Sequence, residues 1–269
     1  MRMRKSGADD VPALKTLWKQ AFGDTDAEID GFFETVWPEA AGFCAEEGGA
    51  VIAMLFALPV EIVHGERTQK AAYLYAVATA EAFRGRGVCR ALMEFAEKTL
   101  RKRYIECLLL VPADERLAAY YETMGYVRQD GCTERPPLAD TPKGTAVPVT
   151  VQEYAGLRET LLFDVPHARY SRAELEYAAE ELAGEKRVLY RLECGYACGC
   201  AAVHTAGASG GVVRVEELLP DAGMLPALAA ALGPGTYPVR MPGRGAARCM
   251  AKWLDGAEHA PVWFAFALD

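Results

Sequence analysis

The residues best suited to chemistry lie in a short basic turn between a predicted strand and a predicted helix. The turn reads Arg84-Gly85-Arg86-Gly87, and apolar residues then recur at helical spacing from Val88 to Leu100. The first N–H groups of a helix have no partner within it, and together with the positive end of the helix dipole they attract anions. The glycines permit positive φ and close approach of a ligand, and the arginines add positive charge. The turn therefore predicts a diphosphate site, although a glycine turn with solvated arginines would have the same sequence.

Two other phosphate-binding motifs fit the same turn poorly. A Walker loop requires Gly-Lys-Ser or Gly-Lys-Thr, whereas Val88 and Cys89 follow Gly87. A dinucleotide fingerprint requires a third glycine three residues after Gly87, and that position is Arg90. The strand before the turn also belongs to a predicted antiparallel meander and not to a doubly wound sheet. The sequence therefore disfavours both of these nucleotide-binding classes.

The turn and a second motif resemble the GCN5-related N-acetyltransferase (GNAT) family. The family signature is Arg or Gln, two residues, Gly, one residue, then Gly or Ala. The chain has Arg84-Gly85-Arg86-Gly87-Val88-Cys89, in which Cys89 replaces the last small residue. Further along, Tyr120-Tyr121-Glu122-Thr123-Met124-Gly125-Tyr126 resembles the family's Phe-Tyr-Glu-Lys-Leu-Gly-Phe block at the expected distance. The resemblance covers the first half of the chain.

The resemblance implies acetyl-CoA as co-substrate and gives roles to individual residues. In the family the backbone of the turn holds the CoA pyrophosphate, and the end of the preceding strand pairs with the pantetheine arm. The strand Ile105–Val111 is expected to splay from its neighbour to admit that arm. The resemblance assigns cofactor binding to Val77, Ala78, Thr79, Arg84, Gly85, Arg86, Gly87, Val88 and Cys89.

The resemblance also implies two catalytic residues. Tyr121 matches the tyrosine that protonates the departing CoA thiolate, a role that suits a phenol beside developing negative charge. The alternative is that Tyr120 and Tyr121 are core aromatics on a short helix. The second candidate catalytic residue is Asp269, the last residue of the sequence. A third idea, that Cys89 at a helix start holds an acyl group, disagrees with the direct transfer that is the family norm.

Within the family, the chain resembles tandem proteins with a degenerate second copy, the enhanced intracellular survival proteins and their shorter bacterial relatives. In those proteins the C-terminal carboxylate reaches the active site. The resemblance therefore implies that Asp269 or a chain of water molecules takes the proton from the acceptor ammonium before it attacks. A solvated chain end is the alternative.

The elements that must position these residues follow the same order in both halves of the chain. The first half has a strand, two helices, a meander through Ala50–Val63 and Ala71–Thr79, and a strand–helix–strand crossover that implies parallel pairing. The second half lacks the basic turn and ends with a predicted helix over Ala246–Leu254 and a strand over Val262–Leu268. The predicted fold class is α/β (α+β), a mixed, mostly antiparallel sheet with flanking helices in a GNAT fold, followed by a second degenerate GNAT-like domain. The predicted domains are a catalytic domain 1–130, a linker 131–144 and a degenerate domain 145–269.

Composition and charge favour a soluble, cytoplasmic protein that acts on a cationic acceptor. The 29 basic and 37 acidic residues give a net charge of −8, which disfavours nucleic acid and anionic membranes as partners. The longest apolar run, Ala50–Val60, is too short for a membrane span, and residues 1–10 lack the apolar core of a signal peptide. A zinc site can be written from Cys194, Cys198, Cys200 and His204, but the last three alternate along a predicted strand, so no metal is expected.

These observations predict an N-acetyltransferase that moves an acetyl group from acetyl-CoA directly to a primary amine of a small molecule or peptide. A protein of another class, a non-catalytic CoA-binding sensor or interaction module, would keep the same turn.

Overall fold

A computed structural model describes residues 1–134, 136–138, 143–179, 186–205 and 213–265. The helices are α1 (Val11–Phe22), α2 (Asp26–Thr35), α3 (Val88–Arg101), α4 (Glu115–Glu122), α5 (Val151–Leu161), α6 (Arg172–Ala179) and α7 (Leu225–Leu232). The first seven strands are β1 (Arg2–Lys5), β2 (Ala41–Glu47), β3 (Ala50–His64), β4 (Arg67–Thr79), β5 (Cys107–Leu110), β6 (Val127–Glu134) and β7 (Pro137–Leu138). The remaining strands are β8 (Thr145–Pro148), β9 (His167–Arg169), β10 (Lys186–Cys194), β11 (Ala197–Thr205), β12 (Arg214–Leu219), β13 (Gly235–Thr236) and β14 (Val239–Trp253).

The chain divides into two compact units. The first, the N-terminal unit, contains residues 1–61, 69–127 and 250–259; the second, the C-terminal unit, contains residues 62–68, 128–249 and 260–269. The sequence prediction placed domain boundaries at 130 and 145, so it assigned the segment 250–259 to the other domain. The compact units are therefore interleaved along the chain at this segment and at residues 62–68.

The sheet of the N-terminal unit has the strand order β1-β2-β3-β4-β5, followed by the end of β14. The pairs β1/β2 and β2/β3 are antiparallel, whereas β4 and β5 are parallel across the crossover helix α3. The last residues of β14 pair antiparallel with β5, from Met250↔Leu110 to Trp253↔Cys107. The predicted mixed, mostly antiparallel sheet is confirmed.

Side chains of β4 alternate between two layers of helices. Ala72 and Leu74 belong to the core under α3 and α4. Tyr75 points to the other face, where its ring centroid lies 5.5 Å from those of Trp18 on α1 and Phe32 on α2. This alternation follows from the period of two in a strand, and it places β4 in the middle of the unit.

The prediction of a helix over Ala246–Leu254 is wrong, because these residues continue the strand β14 up to Trp253. Ala, Met and Leu are good helix formers, and the apolar spacing gave no clear period. Pairing with β5 instead buries Cys249, Met250 and Ala251 in succession, as in a strand covered on both faces. Tertiary pairing overrode the local propensity.

The strands of the C-terminal unit follow the order β14-β12-β11-β10-β8, and helices pack against both faces. The predicted hairpin is confirmed as β10 and β11, and β12 pairs antiparallel with β11 and parallel with β14 at Val215↔Val239. Along β11, Ala201 and Val203 pack in the core under α7, and Cys200 and Ala202 pack in a separate core with residues of α5 and α6. The order of helices and strands predicted for the second half is otherwise observed in the described residues up to β14.

Candidate active site

The basic turn forms an exposed bend that presents its peptide N–H groups to solvent. Gly85 and Gly87 have φ of +73° and +75°, and Gly87 is the N-cap of α3 with no side-chain cap. Ala91 makes the first intrahelical bond of α3, to the carbonyl of Gly87 at 3.1 Å. In the described part of the chain, the N–H groups of residues 85–90 have no acceptor. The bend therefore offers a cluster of free donors at the positive end of a helix, which is the chemistry of an anion site.

The two arginines of the bend stay near it through weak contacts. Arg84 donates from Nε to the carbonyl of Thr79 at 3.1 Å. Arg86 lies over the ring of Phe83, 4.9 Å from its centroid, and pairs with Glu47 at 3.3 Å. Half of the Arg86 side chain is exposed, and exposed ion pairs of this kind contribute little free energy. Both guanidinium groups keep N–H donors that can contact a bound anion.

The strand that leads to the bend is irregular at Ala76. This residue has φ of +47°, which is uncommon for a residue with a Cβ atom. Leu74 and Val77 both pack against the core under α3, although they are three residues apart. An extra residue inserted at Ala76, as in a β-bulge, explains this change of face. The irregularity redirects the backbone N–H groups of the segment Val77–Thr79.

The pairing of β4 with β5 covers only the first part of β4. The parallel register runs from Ala71↔Cys107 to Tyr73↔Leu109, whereas β4 continues to Thr79. On the other side of β4, the N–H of Ala80 donates to the carbonyl of Ile52 of β3 at 2.9 Å. Because backbone groups alternate in direction along a strand, the N–H of Thr79 points away from β3. The end of β4 therefore has free backbone groups on the side of β5, as the predicted splay requires.

The second motif lies on α4 and places two tyrosines side by side. Tyr121 is buried with 6% of its surface exposed, and its ring packs against Tyr120 and Tyr126 at 5.5 and 5.9 Å. Burial raises the pKa of Tyr121, with smaller contributions from Cys89 and Tyr120, so the phenol stays protonated near neutral pH. Tyr120 lies under the guanidinium of Arg90, which also donates to Thr123 Oγ1 at 2.6 Å. This contact fixes α4 against the first turn of α3.

Cys89 is not an activated nucleophile. Burial raises the pKa of the Cys89 thiol, against a lowering contribution from a hydrogen bond with Tyr120. Its Sγ lies 3.9 Å from Sδ of Met93, within the core side of α3. The idea that this thiol carries an acyl group therefore has no support from its surroundings.

The residues that carry the sequence motifs thus all lie in the N-terminal unit. Residues 2–128 match the model described as acetyltransferase (GNAT) domain. The resemblance to the GNAT family is confirmed. The match includes the bend, the end of β4 and the motif on α4. No curated protein matches the chain at a significant level.

Solved structures show that the GNAT-like fold extends over nearly the whole chain. A GCN5-related N-acetyltransferase from Anabaena variabilis has a TM-score of 0.73 at 15% identity, with 93% of this chain and 72% of that chain covered. A conserved protein of unknown function from Enterococcus faecalis, described as a probable N-acyltransferase, has a TM-score of 0.71 at 16% identity, with 94% of this chain and 73% of that chain covered. Eis1 from Mycobacterium abscessus has a TM-score of 0.64 at 14% identity, with 95% and 74% covered. The predicted tandem GNAT-like arrangement is confirmed as a fold.

Asp269 lies outside the described residues. Within the described part of the chain, no group of three or more His, Cys, Asp or Glu residues is arranged to hold a metal ion. Among the same residues, no helix has the length and apolar character needed to cross a membrane.

Sequence reasoning missed a buried charged cluster in the C-terminal unit. Glu217 is fully buried and accepts hydrogen bonds from Tyr154, Arg158 and Trp263, at 2.5, 2.9 and 2.6 Å. Its neighbour Glu216 is also buried and pairs with Arg187. The register of β12 with β11 skips Glu216 between Val215 and Glu217, so the two glutamates lie at a β-bulge, where each carboxylate has its own arginine. The signal in the sequence was a pair of glutamates inside an apolar strand, but their partners are distant in the chain.

Proposed function

We propose that the chain is an acetyl-CoA-dependent N-acetyltransferase whose co-substrate binds to the N-terminal unit. The observation that carries the proposal is the run of free N–H groups in residues 85–90, inside the region that matches the acetyltransferase domain. These donors suit the diphosphate of CoA, and Arg84, Gly85, Arg86, Gly87, Val88 and Cys89 are assigned to it. The exposed bend and the unpaired end of β4 fit a long ligand that carries a diphosphate at one end.

The end of β4 is assigned to the pantetheine arm and the acetyl group. The segment comprises Val77, Ala78 and Thr79, and it follows the irregular residue Ala76. The N–H groups of Val77 and Thr79, which by alternation face the side of β5, donate to the pantetheine arm and polarise the thioester carbonyl while negative charge develops there. An acceptor amine attacks that carbonyl carbon, the carbon–sulfur bond breaks, and the sulfur leaves as a thiolate.

Tyr121 is assigned as the acid for the leaving thiolate. A phenol carries its proton at neutral pH, so its O–H can donate a hydrogen bond and then the proton to the thiolate as negative charge develops on the sulfur. Its position in the matched region, on the motif of α4, supports this role over that of a core aromatic alone.

The acceptor is proposed to be a primary amine of a small molecule or peptide. An ammonium group must lose a proton before it attacks, and Asp269 is proposed as the base that receives it. The net charge of −8 is compatible with cationic acceptors. No metal takes part in this scheme.

The test compares two variants that each lose one phenol group on α4. Acetyl-CoA turnover is measured against a panel of amines, and CoA affinity is measured by titration calorimetry. We expect Tyr121→Phe to lower kcat at least 100-fold with a CoA Kd within twofold of the original protein. The matched control Tyr120→Phe loses a phenol that interacts with Cys89, and it should keep turnover within about threefold.

Two results would contradict the proposal. Full turnover by Tyr121→Phe would remove the assigned acid, and a chain without Asp269 that keeps full turnover would remove the assigned base. Tight CoA binding with no turnover on any amine would favour the sensor or interaction module instead.

A further inference from the structure

Thr79 carries a buried hydroxyl that has no hydrogen-bond partner among the described residues. A buried polar group without a partner is rare in folded proteins, because water is lost and nothing replaces it. Such a group therefore indicates strain, a functional role or a ligand that completes its hydrogen bonding. The environment of Thr79 decides among these.

The remaining polar groups of Thr79 are already directed by the fold. Its carbonyl accepts a hydrogen bond from Nε of Arg84. Its N–H points away from β3, because Ala80 uses the β3 side. The register of β4 with β5 has ended at Tyr73, well before Thr79. The hydroxyl of Thr79 thus has no partner among the described residues, and its N–H faces the side of β4 on which the register with β5 has ended.

The chemistry of the expected ligand matches this pair of groups. The pantetheine arm of CoA contains secondary amides, each with one donor and one acceptor, and a threonine hydroxyl can both donate and accept. The diphosphate is assigned to the bend that begins five residues later, at Arg84. We propose that the Thr79 hydroxyl hydrogen-bonds an amide of the pantetheine arm, so that the side chain of this residue distinguishes CoA from a bare nucleotide. The inference rests on the proposed CoA site and adds a side-chain contact to it.

The experiment separates the pantetheine arm from the nucleotide by using two probes, CoA and adenosine 3′,5′-bisphosphate. Thr79→Val keeps the shape of the side chain without the hydroxyl, and Thr79→Ser keeps the hydroxyl. By titration calorimetry we expect Thr79→Val to bind CoA about three- to tenfold more weakly and the bisphosphate within twofold of the original protein. Thr79→Ser should bind both probes within about twofold.

The matched control is Ser6, whose hydroxyl is also buried without a partner among the described residues but follows β1, at the edge of the sheet. Without ligand, both Thr79→Val and Ser6→Ala should melt at or above the temperature of the original protein, because each removes an unsatisfied polar group. Only Thr79→Val should show a smaller rise in melting temperature when CoA is added.

Specific outcomes overturn the inference. If Thr79→Val binds CoA as tightly as the original protein, or loses CoA and bisphosphate equally, the hydroxyl has no role toward the arm. If the original protein binds neither probe, the proposed function fails together with the inference. Should Thr79→Val not fold, the comparison of Thr79→Ala with Thr79→Ser gives the same test.

Discussion

The bend before α3 can be tested by adding a methyl group to one glycine. Gly87 has φ of +75°, and a Cβ atom placed there would meet no atom within 4 Å. Gly87→Ala therefore changes only the backbone preference, which disfavours positive φ by about 1–2 kcal/mol. Because the bend is exposed and its N–H groups have no internal acceptor, the alanine is free to relax to negative φ in the absence of ligand. Binding of CoA must then restore the strained conformation.

This strain predicts a size for the loss of affinity. A cost of about 1–2 kcal/mol corresponds to roughly a 5- to 30-fold higher Kd for CoA at 25 °C. The matched control is Gly23→Ala, since Gly23 has φ of +81°, an equally open Cβ position and a role at the end of α1. The N–H of Gly23 donates to the carbonyl of Lys19 at 3.0 Å, which keeps the residue in its strained conformation. The strain should therefore lower the free energy of unfolding and leave the affinity for CoA unchanged.

The assays are titration calorimetry with CoA and thermal unfolding without it. Gly23→Ala should bind CoA normally and melt about 2–4 °C lower for each kcal/mol lost. The inference that the bend binds CoA is wrong if Gly87→Ala binds CoA within twofold of the original protein. It is also wrong if Gly23→Ala weakens CoA binding as much as Gly87→Ala does.

Two further predictions concern the C-terminal unit. Glu217→Gln should lower the free energy of unfolding in urea by about 3–5 kcal/mol, because it removes the near carboxylate of buried Arg158, at 2.9 Å, and leaves only the longer ion pair with Glu159, at 3.6 Å; a loss below about 1 kcal/mol would contradict the importance of the Glu217 pair. Glu159 has its pKa held down to about 2, where hydrogen bonds from His167 and Arg169 outweigh the opposing effect of burial. A carboxylate with a lowered folded pKa stabilises above its unfolded value near 4.5 and loses that contribution as the pH falls toward 2. Glu159→Gln should therefore flatten the loss of stability between pH 4.5 and 2, by at most roughly 3 kcal/mol; an unchanged acid profile would contradict the assignment.

The sequence predicted most of the elements that position the candidate site. The bend was predictable as a turn because glycine permits positive φ, and the helix after it has a clear apolar period. The parallel pairing of β4 and β5 followed from the crossover through α3. These features depend on local residue types, so a single sequence contains them.

Other features of the site depend on contacts between distant residues and were not predictable. No local signal marks Ala76 as the residue with positive φ, because alanine usually avoids that conformation. The partnerless hydroxyl of Thr79 becomes visible only when its surroundings are known. The strand β14 was misread because its pairing with β5 joins residues far apart in the chain. Similarly, no residue close to Glu217 in the sequence indicates that its partner is Arg158, which lies on α5.

The last residues of β14 also govern when the N-terminal unit can be completed during synthesis. Lys252 forms an ion pair with Glu97 at 2.6 Å, and Leu254 donates its N–H to Glu106 at 2.8 Å, so this late segment is joined to α3 and to the start of β5. A ribosome has made the bend, α3 and α4 long before residue 250 emerges. Until then β5, whose residues Cys107–Leu110 are all buried in the finished protein, has an open apolar edge of the kind that promotes aggregation. The candidate active site thus belongs to a unit whose sheet closes only after residue 253 has been made, and a fragment that stops after the matched domain would keep that edge exposed.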